Sequence, residues 1–207
     1  MDEILERYSD QQGLTTLIEH EIIVKPGTKP VRQASRRMSP KMEEFAQREV
    51  KKMLEEGIIE ESKSDWCSRP VIAKKANESF KFCVDYRDLN KHTQPDMYPI
   101  KNMNSVLDKL RKARYITKID LKSAFMQVMV AESSRKYTAF AVSGAGLYQF
   151  RRMPFGLNTS PKTFCRLIDM LFGPEYEPYV FGYLDGIIIV SESFLEHLKW
   201  VEKVLKR

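Results

Sequence analysis

Apolar residues recur at spacings of three and four along SPKMEEFAQREVKKMLEEG, residues 39–57. They are Met42, Phe45, Ala46, Val50, Met53 and Leu54. This spacing places them on one face of an α-helix, and that face is expected to be buried. Ser39 is placed to cap the helix N-terminus, Pro40 suits its first turn, and Gly57 is placed to end it.

SPKTFCRLIDMLFG, residues 160–173, repeats this punctuation and predicts a second helix. Ser160 would cap it, Pro161 would open it and Gly173 would end it. A further apolar pattern suggests a helix around residues 103–113, and a charged helix is expected from about Ser193 to the end of the chain.

Short β-rich runs fill most of the remaining chain. RPVIAKK (69–75) and FKFCVDY (80–86), separated by polar residues, predict a hairpin. Further strands are expected in RYITKID (114–120), FMQVMV (125–130), KYTAFAV (136–142), LYQFRR (147–152) and the two halves of YVFGYLDGIIIV (179–190). Because helices and strands mix without strict βαβ alternation, the pattern predicts an α+β fold with mostly antiparallel pairing.

Asp120 and Asp185 each end an apolar run, where solvation gives no reason for a charge. Asp185-Gly186 is also a strong hairpin signal, because both central residues of a type I′ turn need positive φ. A buried carboxylate is usually paired, hydrogen-bonded or bound to a metal. Each aspartate is therefore a turn or strand-end residue, which local chemistry alone favours, or a metal ligand.

Charge and composition narrow the class of protein only a little. The chain has 34 Lys and Arg against 28 Asp and Glu, and its pI is near 9.1, which is compatible with a nucleic-acid partner but does not identify one. No apolar run approaches the roughly 18 residues of a membrane span, and MDEILERYSD does not resemble a signal peptide. Cys67, Cys83 and Cys165 are expected to be reduced thiols, so an intracellular, non-secreted location is predicted.

The N-terminal arm, residues 1–37, contains the basic and proline-containing stretch VKPGTKPVRQASRR (24–37). Low apolar content predicts that this stretch is extended and lies on the surface. Its charge pattern leaves two interpretations open, a flexible linker and a specific nucleic-acid contact.

Five motifs, taken in chain order, resemble those of reverse transcriptases from gypsy-type LTR retrotransposons and retroviruses. They are GIIEESKSDWCSRPVIAKK (57–75), FKFCVDYRDLNKHT (80–93), ITKIDLKSAFMQV (116–128), MPFGLNTSPKTF (153–164) and YLDG (183–186). The resemblance extends over roughly residues 14–207. Five ordered motifs are far more specific than any one of them alone.

The resemblance implies a right-hand polymerase with fingers and palm, in which an antiparallel palm sheet is flanked by helices. The implied divisions are the arm (1–37), fingers (38–113), palm with the first catalytic strand (114–133), a return to the fingers (134–160) and palm with the second catalytic hairpin (161–207). Implied partners are an RNA or DNA template with its primer, deoxynucleoside triphosphates, and the thumb and RNase H of a pol polyprotein. No membrane partner is expected, and the implied location is a cytoplasmic virus-like particle or the nucleus.

The resemblance also assigns roles to individual residues. Asp120 and Asp185, with the backbone carbonyl of Leu121, would hold two Mg²⁺ ions, which prefer hard oxygen ligands. The nucleotide would meet Lys81, one of Lys74 and Lys75, Phe125, Phe155 and Gly156, while Arg87 would contact the template and Tyr183 would pack beside the primer end. Without the resemblance, the lysines read as a solvated hairpin face and Phe125 as core.

Three departures from the family pattern predict impaired catalysis. The Tyr-x-Asp-Asp motif ends in Gly186, so one acidic ligand position is lost. Phe80-Lys81 replaces the frequent Trp-Arg, and lysine cannot make the two-pronged contact of arginine with a phosphate. The sequence ends at Arg207 without a thumb or RNase H. The predicted function is a reverse transcriptase fragment of doubtful activity; the alternatives are a non-catalytic nucleic-acid-binding or domesticated protein, and a remnant without a role.

Overall fold

The structure is a computed structural model, and it describes residues 13–34, 36–74, 76, 78–99, 108, 110, 111, 113–183 and 186–207, with the backbone alone at Tyr183. The chain divides into two compact units. Unit 1 comprises Met1–Leu17, Met97–Ala124 and Pro161–Arg207, and unit 2 comprises Ile18–Asp96 and Phe125–Ser160. The division into fingers and palm stays a prediction.

The strands of the described residues, in chain order, are β1 (Glu19–His20), β2 (Ile59–Glu61), β3 (Arg69–Lys74), β4 (Phe80–Asp85), β5 (Tyr115–Asp120), β6 (Met129–Val130), β7 (Phe140–Val142), β8 (Gly146–Phe150), β9 (Val180–Tyr183) and β10 (Gly186–Ser191). The α-helices are α1 (Pro40–Glu55), α2 (Arg87–His92), α3 (Glu132–Arg135), α4 (Ser160–Leu171) and α5 (Phe194–Leu205). In this part of the chain no helix has the length and apolarity needed to cross a bilayer.

Unit 2 is built around one large hydrophobic core. Helix α1 has the predicted bounds, and the Ser39 hydroxyl accepts a hydrogen bond from the Met42 amide, which confirms the predicted cap. Its buried face packs against the antiparallel sheet β2-β8-β7 and the hairpin β3-β4. Phe140 lies at the centre of an aromatic cluster in this core, in ring contact with Phe82, Tyr148 and Phe150.

The N-terminal arm is partly buried in unit 2. Strand β1 pairs in parallel with β6, and both His20 and Ile22 are buried. The Ile22 amide donates a 2.9 Å hydrogen bond to the Ser134 hydroxyl. The predicted surface stretch, residues 24–37, is mostly exposed at its described positions, whereas His20 and Ile22 just before it are buried and anchor the chain.

Unit 1 contains the antiparallel sheet β5-β10-β9. Phe181 and Val190 form its buried cluster, with Leu110, Ala113 and Ile188 packed against it. Helix α5 begins as predicted, with the Ser193 hydroxyl accepting from the Glu196 amide at 3.3 Å. The mainly antiparallel pairing and the mixture of helices with strands confirm the predicted α+β class.

Several predicted elements were wrong in detail. The run 125–130 begins in a 3₁₀ helix, Ala124–Gln127, before the short strand β6, and 136–142 begins in a 3₁₀ helix, Lys136–Thr138, before β7. Short apolar runs do not distinguish strand from helix by their periodicity, so the sequence could not resolve these turns. Ser160 is already helical, and its hydroxyl donates to the Pro154 carbonyl instead of capping α4. The predicted helix at 103–113 lies largely outside the described residues.

Candidate active site

Asp120 ends strand β5 on an open face of unit 1. Its side chain is 71% exposed, and its Oδ1 atom lies 2.8 Å from the Nζ atom of Lys118. Lys118 and Asp120 are two residues apart on one strand, so both side chains leave the same face of the sheet. Asp120 is therefore not the costly buried charge that its position at the end of an apolar run predicted. Water and the lysine solvate this carboxylate, and it is accessible to a ligand.

Gly186 is the first residue of β10 and lies opposite both Asp120 and Tyr183 in the antiparallel register. The predicted hairpin is confirmed, but Gly186 belongs to a strand rather than to the turn, and its φ lies outside the left-handed region. A Cβ atom at this position would lie 3.6 Å from Asp120 Oδ1 and 3.5 Å from the Ile119 carbonyl. These are ordinary contacts, so glycine is not required here by the backbone or by lack of space.

The other predicted ligands are less completely defined. Asp185 lies outside the described residues, and Leu121 directly follows β5. Among the residues that the structure describes, no cluster of three or more His, Cys, Asp or Glu side chains could hold a metal. Asp120 is thus the one acidic member of the predicted ligand set whose surroundings can be stated.

Three of the predicted nucleotide-binding residues form a contact chain in unit 2. Lys81 Nζ lies 5.2 Å from the centre of the Phe155 ring, and the Phe155 and Phe125 ring centres are 5.1 Å apart. Phe155 is 46% exposed. The cluster offers a cation beside an accessible apolar ring, an arrangement suited to a group that combines phosphates with a flat base or sugar.

Gly156 continues this surface and requires its glycine. Its φ is +96°, and an added Cβ would lie 3.5 Å from the Tyr86 ring. Its carbonyl accepts a 2.8 Å hydrogen bond from the Asn90 amide, while Asn90 Oδ1 accepts from the Asn158 backbone amide at 3.0 Å. Asn90 therefore fixes the loop that carries Phe155 and Gly156.

Most residues of the Asp-Tyr-Arg-x-Leu-Asn motif thus have a structural role in holding neighbouring segments in place. Buried Tyr86 donates to the Thr138 carbonyl at 3.0 Å, and Leu89 is part of the core. The role of Asn90 could not be predicted from this motif, because a side chain that holds a distant loop leaves no spacing signal in the sequence. Lys118 was also not predicted, although its contact with Asp120 is local and the alternation of side chains along a strand places both on one face.

Arg87, the predicted template contact, is bound to its neighbour Asp85. Its Nε and Nη2 atoms donate to the two carboxylate oxygens at 2.9 and 2.7 Å. These hydrogen bonds lower the pKa of Asp85 to about 2. The guanidinium is exposed beyond this contact, so its outer edge remains accessible.

Lys74 and Lys81 lie on opposite faces of the β3-β4 hairpin. Lys74 pairs in register with Phe80, whose ring contacts Phe45 of α1, whereas Lys81 pairs with Ala73. Directly opposite residues share a face, and adjacent residues alternate. Lys74 Nζ forms an ion pair with Glu78 at 3.0 Å. Its proposed alternative, Lys75, lies outside the described residues.

Comparison with known proteins identifies a matching family model and several similar proteins. A family model described as reverse transcriptase (RNA-dependent DNA polymerase) matches residues 72–207. The retrovirus-related Pol polyprotein from transposon 297 of Drosophila melanogaster is 41% identical over 164 residues, 77% of this chain and 15% of that polyprotein. The one from transposon gypsy of the same organism is 37% identical over 169 residues, 79% of this chain and 16% of that polyprotein. The chain spans under a fifth of the length of either relative.

Solved structures agree on the fold. The foamy viral protease-reverse transcriptase in complex with RNA/DNA hybrid superposes with a TM-score of 0.85 at 24% identity, covering 99% of this chain and 28% of that one. The same kind of protein in complex with dsDNA gives a TM-score of 0.83 at 24% identity, covering 99% of this chain and 44% of that one.

Proposed function

Because the chain belongs to the reverse transcriptase (RNA-dependent DNA polymerase) family, we propose that it is the fingers and palm part of an RNA-directed DNA polymerase from a retrotransposon Pol polyprotein, with impaired catalysis. Its partners in this proposal are a primed RNA or DNA template, deoxynucleoside triphosphates and the remaining Pol domains. An intracellular location follows from the proposal and stays a prediction.

The observation that carries the proposal is the pairing of Asp120 with Gly186 across β5 and β10. Asp120 presents an exposed carboxylate at the end of β5 in a chain of a polymerase family, and Gly186 directly opposite it on β10 has no side chain. The glycine is not demanded by backbone geometry, as its φ and its surroundings show. We therefore interpret Gly186 as the loss of an acidic ligand and not as a structural requirement of the hairpin.

The donor chemistry at β5 fits magnesium in part. Asp120 and the Leu121 carbonyl offer hard oxygen atoms, which Mg²⁺ prefers, while Gly186 contributes none. When bound, magnesium would stabilise the negative charge that develops during phosphoryl transfer. Lys118 already neutralises Asp120 at 2.8 Å, so a cation at this carboxylate must displace the ammonium group or share the oxygen atoms with it.

The residues of unit 2 would bind and orient the nucleotide. Lys81 would neutralise phosphate charge, although without the two-pronged geometry of an arginine. The Phe125–Phe155 pair would support the sugar and base, and Asn90 would hold the loop in place. These roles rest on family resemblance together with the contacts of Lys81 and Phe155.

Primer extension on poly(rA)/oligo(dT), with Mg²⁺ or Mn²⁺, tests the proposal. We expect weak nucleotide incorporation by this chain and an increase of at least ~10-fold in Gly186→Asp. Asp120→Asn should show no incorporation. Mn²⁺ titration followed by electron paramagnetic resonance gives a readout independent of activity, in which Gly186→Asp should bind more tightly than the isosteric Gly186→Asn. Robust, processive synthesis by the unaltered chain would contradict impairment.

A second candidate function is nucleic-acid binding without catalysis. The ion pair between Lys118 and Asp120 favours it, because a carboxylate neutralised within the protein attracts a divalent cation less strongly. Filter binding of a primer–template across a salt series distinguishes the two. Template binding combined with no incorporation in either metal, even in Gly186→Asp, would support the second function, and absence of binding at low salt would contradict both.

A further inference from the structure

A buried histidine of unit 1 joins helix α5 to the two strands that carry Asp120 and Gly186. His197 is only 2% exposed. Its Nε2 atom lies 2.7 Å from the hydroxyl of Thr117 on β5, and its Nδ1 atom lies 3.1 Å from the hydroxyl of Ser191 at the end of β10. One imidazole ring therefore connects three elements of the unit, and none of the three residues belongs to the predicted site.

The hydrogen-bond partners determine which ring nitrogen of His197 carries the proton. A hydroxyl group has one proton to donate, and Ser191 donates it to the Ser193 carbonyl at 3.0 Å. The Ser191 oxygen must therefore accept from the Nδ1–H group of His197. The Nε2 atom is then an acceptor, to which the Thr117 hydroxyl donates. Burial lowers the pKa of His197 below its ordinary value near 6.5, so the ring is neutral at pH 7, as this arrangement requires.

The two hydroxyl groups lie on one face of the sheet because of the strand register. Ser191 lies opposite Tyr115, two residues before Thr117 on β5. Directly opposite residues share a face, and so do residues two positions apart on a strand. The ring of Tyr115 lies 6.1 Å from that of His197, which agrees with this placement. A slip of β5 by one residue would turn the Thr117 hydroxyl to the other face and break the bridge.

The bridge acts on the strand that carries the exposed carboxylate. Within the described residues, β5 is an edge strand of its sheet, with β10 as its neighbour. Asp120 is three residues after Thr117, so its side chain leaves the opposite face of β5. His197 thus cannot touch the carboxylate. It holds β5 from behind and leaves the face of Asp120 open to a ligand.

We propose that His197 is a positioning residue for Asp120. Its Nδ1–H tautomer bridges Thr117 and Ser191, and this bridge holds β5 against β10 so that the carboxylate stays opposite position 186. The inference rests on the proposed function for the metal that the carboxylate would bind, whereas the bridge itself does not depend on a metal. A purely structural histidine would stabilise unit 1 without changing the metal affinity of the folded protein.

Amide hydrogen exchange tests the bridge in the absence of metal. Thr117→Val keeps the shape of the side chain but leaves Nε2 of His197 without a donor. We expect opening at the Asp120–Gly186 end of the β5-β10 ladder to increase roughly 10-fold. The matched control is Tyr115→Phe, which removes a hydroxyl from the same face of β5 and should change this opening by less than about 2-fold.

Two replacements of the histidine separate its two contacts. His197→Gln places an acceptor near the position of Nε2 and should stay within about 3-fold of the unaltered chain, whereas His197→Asn lacks it and should match Thr117→Val. Thr117→Val should add less than about 2-fold in the His197→Asn background, because its partner is already lost. Fully additive effects would overturn the bridge.

Nuclear magnetic resonance reads the tautomer directly. Long-range ¹H–¹⁵N correlation spectra resolve the three histidines of the chain, and the signals lost in His197→Gln identify those of His197. At pH 7 we expect the proton on Nδ1 and a free electron pair on Nε2. A proton on Nε2, or on both nitrogens, would overturn the assigned bridge.

Mn²⁺ binding followed by electron paramagnetic resonance tests the positioning. In the Gly186→Asp background, Thr117→Val should weaken Mn²⁺ binding by about 3- to 10-fold, and Tyr115→Phe should leave it unchanged. Circular dichroism and Trp200 fluorescence check that each variant is folded. Unchanged affinity in Thr117→Val would make His197 purely structural and overturn the proposal.

The two proposals fail in different ways. Absence of Mn²⁺ binding in Gly186→Asp itself would contradict the proposed function and leave the exchange data to decide the role of His197. In that case, faster exchange in Thr117→Val that reaches Asp120 and position 186 supports positioning. Exchange that changes only beside Thr117 overturns it.

Discussion

Two six-residue strands of the chain, β4 and β5, end on an aspartate, and the two carboxylates have opposite environments. Asp85 at the end of β4 is 11% exposed and accepts two guanidinium hydrogen bonds from Arg87. Asp120 at the end of β5 is 71% exposed and forms an ion pair with Lys118 at 2.8 Å. Both pair with a basic residue two positions away, so the sequence pattern around them is similar.

The difference separates a structural carboxylate from an available one. A planar guanidinium occupies both oxygen atoms of Asp85 and fixes their direction, which leaves little capacity for a ligand. An ammonium group on a flexible stem occupies one oxygen atom of Asp120 and is itself exposed. Accessibility and the geometry of the partner therefore distinguish these two aspartates, and their position at a strand end does not.

The largest effect is expected from a substitution that unfolds the sheet carrying Asp120 and leaves the hairpin carrying Asp85 folded. A Cβ atom at Gly182 of β9 would lie 1.8 Å from the Cγ2 atom of Ile168 in α4. The branched isoleucine cannot rotate away freely, so Gly182→Ala should destabilise unit 1 by about 3 kcal/mol. Urea unfolding followed by the fluorescence of Trp200, in a Trp66→Phe background, measures this loss.

Trp66 supplies the control, since the chain has two tryptophans and each unit contains one. In a Trp200→Phe background, Gly182→Ala should shift the Trp66 transition much less. Ile168→Ala should partly rescue Gly182→Ala, because the space that it opens accepts the new methyl group. Equal shifts in both fluorescence transitions would contradict a local effect.

Low pH should instead destabilise unit 2, because this unit contains the buried histidine His20. Burial lowers the pKa of His20 to about 4, against a smaller opposing effect of Asp96. Above pH 6.5 the imidazole is neutral in both the folded and the unfolded state, so its contribution to stability is complete. As the pH falls from 6.5 towards 4, the unfolded state binds the proton first, and about 3 kcal/mol should be lost.

The Trp66 transition measured across this pH range checks the prediction. His20→Gln removes the titrating group and should flatten the loss between pH 6.5 and 4, even if its stability at neutral pH is lower. A profile that keeps its slope in His20→Gln would assign the acid sensitivity of unit 2 to other groups.

Much of the fold could be predicted from the sequence, because helices and hairpins have local signals. The Ser39 cap, the apolar stripe of α1 and the β3-β4 hairpin all depend on neighbours within a few residues. The strand errors at 125–130 and 136–142 arose where short apolar runs fit more than one periodicity. The anchoring of the arm by Ile22 depends on a contact with Ser134, more than a hundred residues away, and has no local signal.

The arrangement of the candidate site was less predictable than the fold. Family resemblance named Asp120, Lys81, Phe125, Phe155 and Gly156, and the roles proposed for them stay predictions. It did not show that Lys74 faces away from Lys81 or that Asn90 holds the loop of Gly156, because both facts depend on strand register and distant contacts. Gly186 was misplaced in the turn because Asp-Gly is a turn signal wherever it occurs.

Substitution of each aspartate by asparagine tests whether the two carboxylates contribute differently to stability. Asp85→Asn loses the charge-assisted hydrogen bonds with Arg87 and should lower the melting temperature by ~3 °C. Asp120→Asn breaks a solvent-exposed ion pair and should change it by less than ~1 °C, while abolishing any nucleotide incorporation. The contribution of Asp85 is present above its ordinary pKa near 3.8 and should fade as the pH falls towards about 2. Equal thermal effects would remove the distinction between the two carboxylates.

The smallest effect is expected at Gly186, and it separates the two interpretations of this residue. If Gly186 served the turn, alanine would be strained; in a strand with contacts of 3.5 Å or more, alanine should instead stabilise unit 1 by about 0.5 kcal/mol through lower entropy of the unfolded chain. The Trp200 transition of Gly186→Ala measures this change. Gly186→Asn and Gly186→Asp then add side chains of nearly the same volume beside Asp120, the first without a charge and the second with one. Because Lys118 lies within reach of both carboxylates, Gly186→Asp should be no more than ~1 kcal/mol less stable than Gly186→Asn without metal, and Mn²⁺ should reverse their order. A marked loss of stability in Gly186→Ala would instead show that the glycine is retained for the hairpin, and that the missing carboxylate is a consequence of backbone geometry.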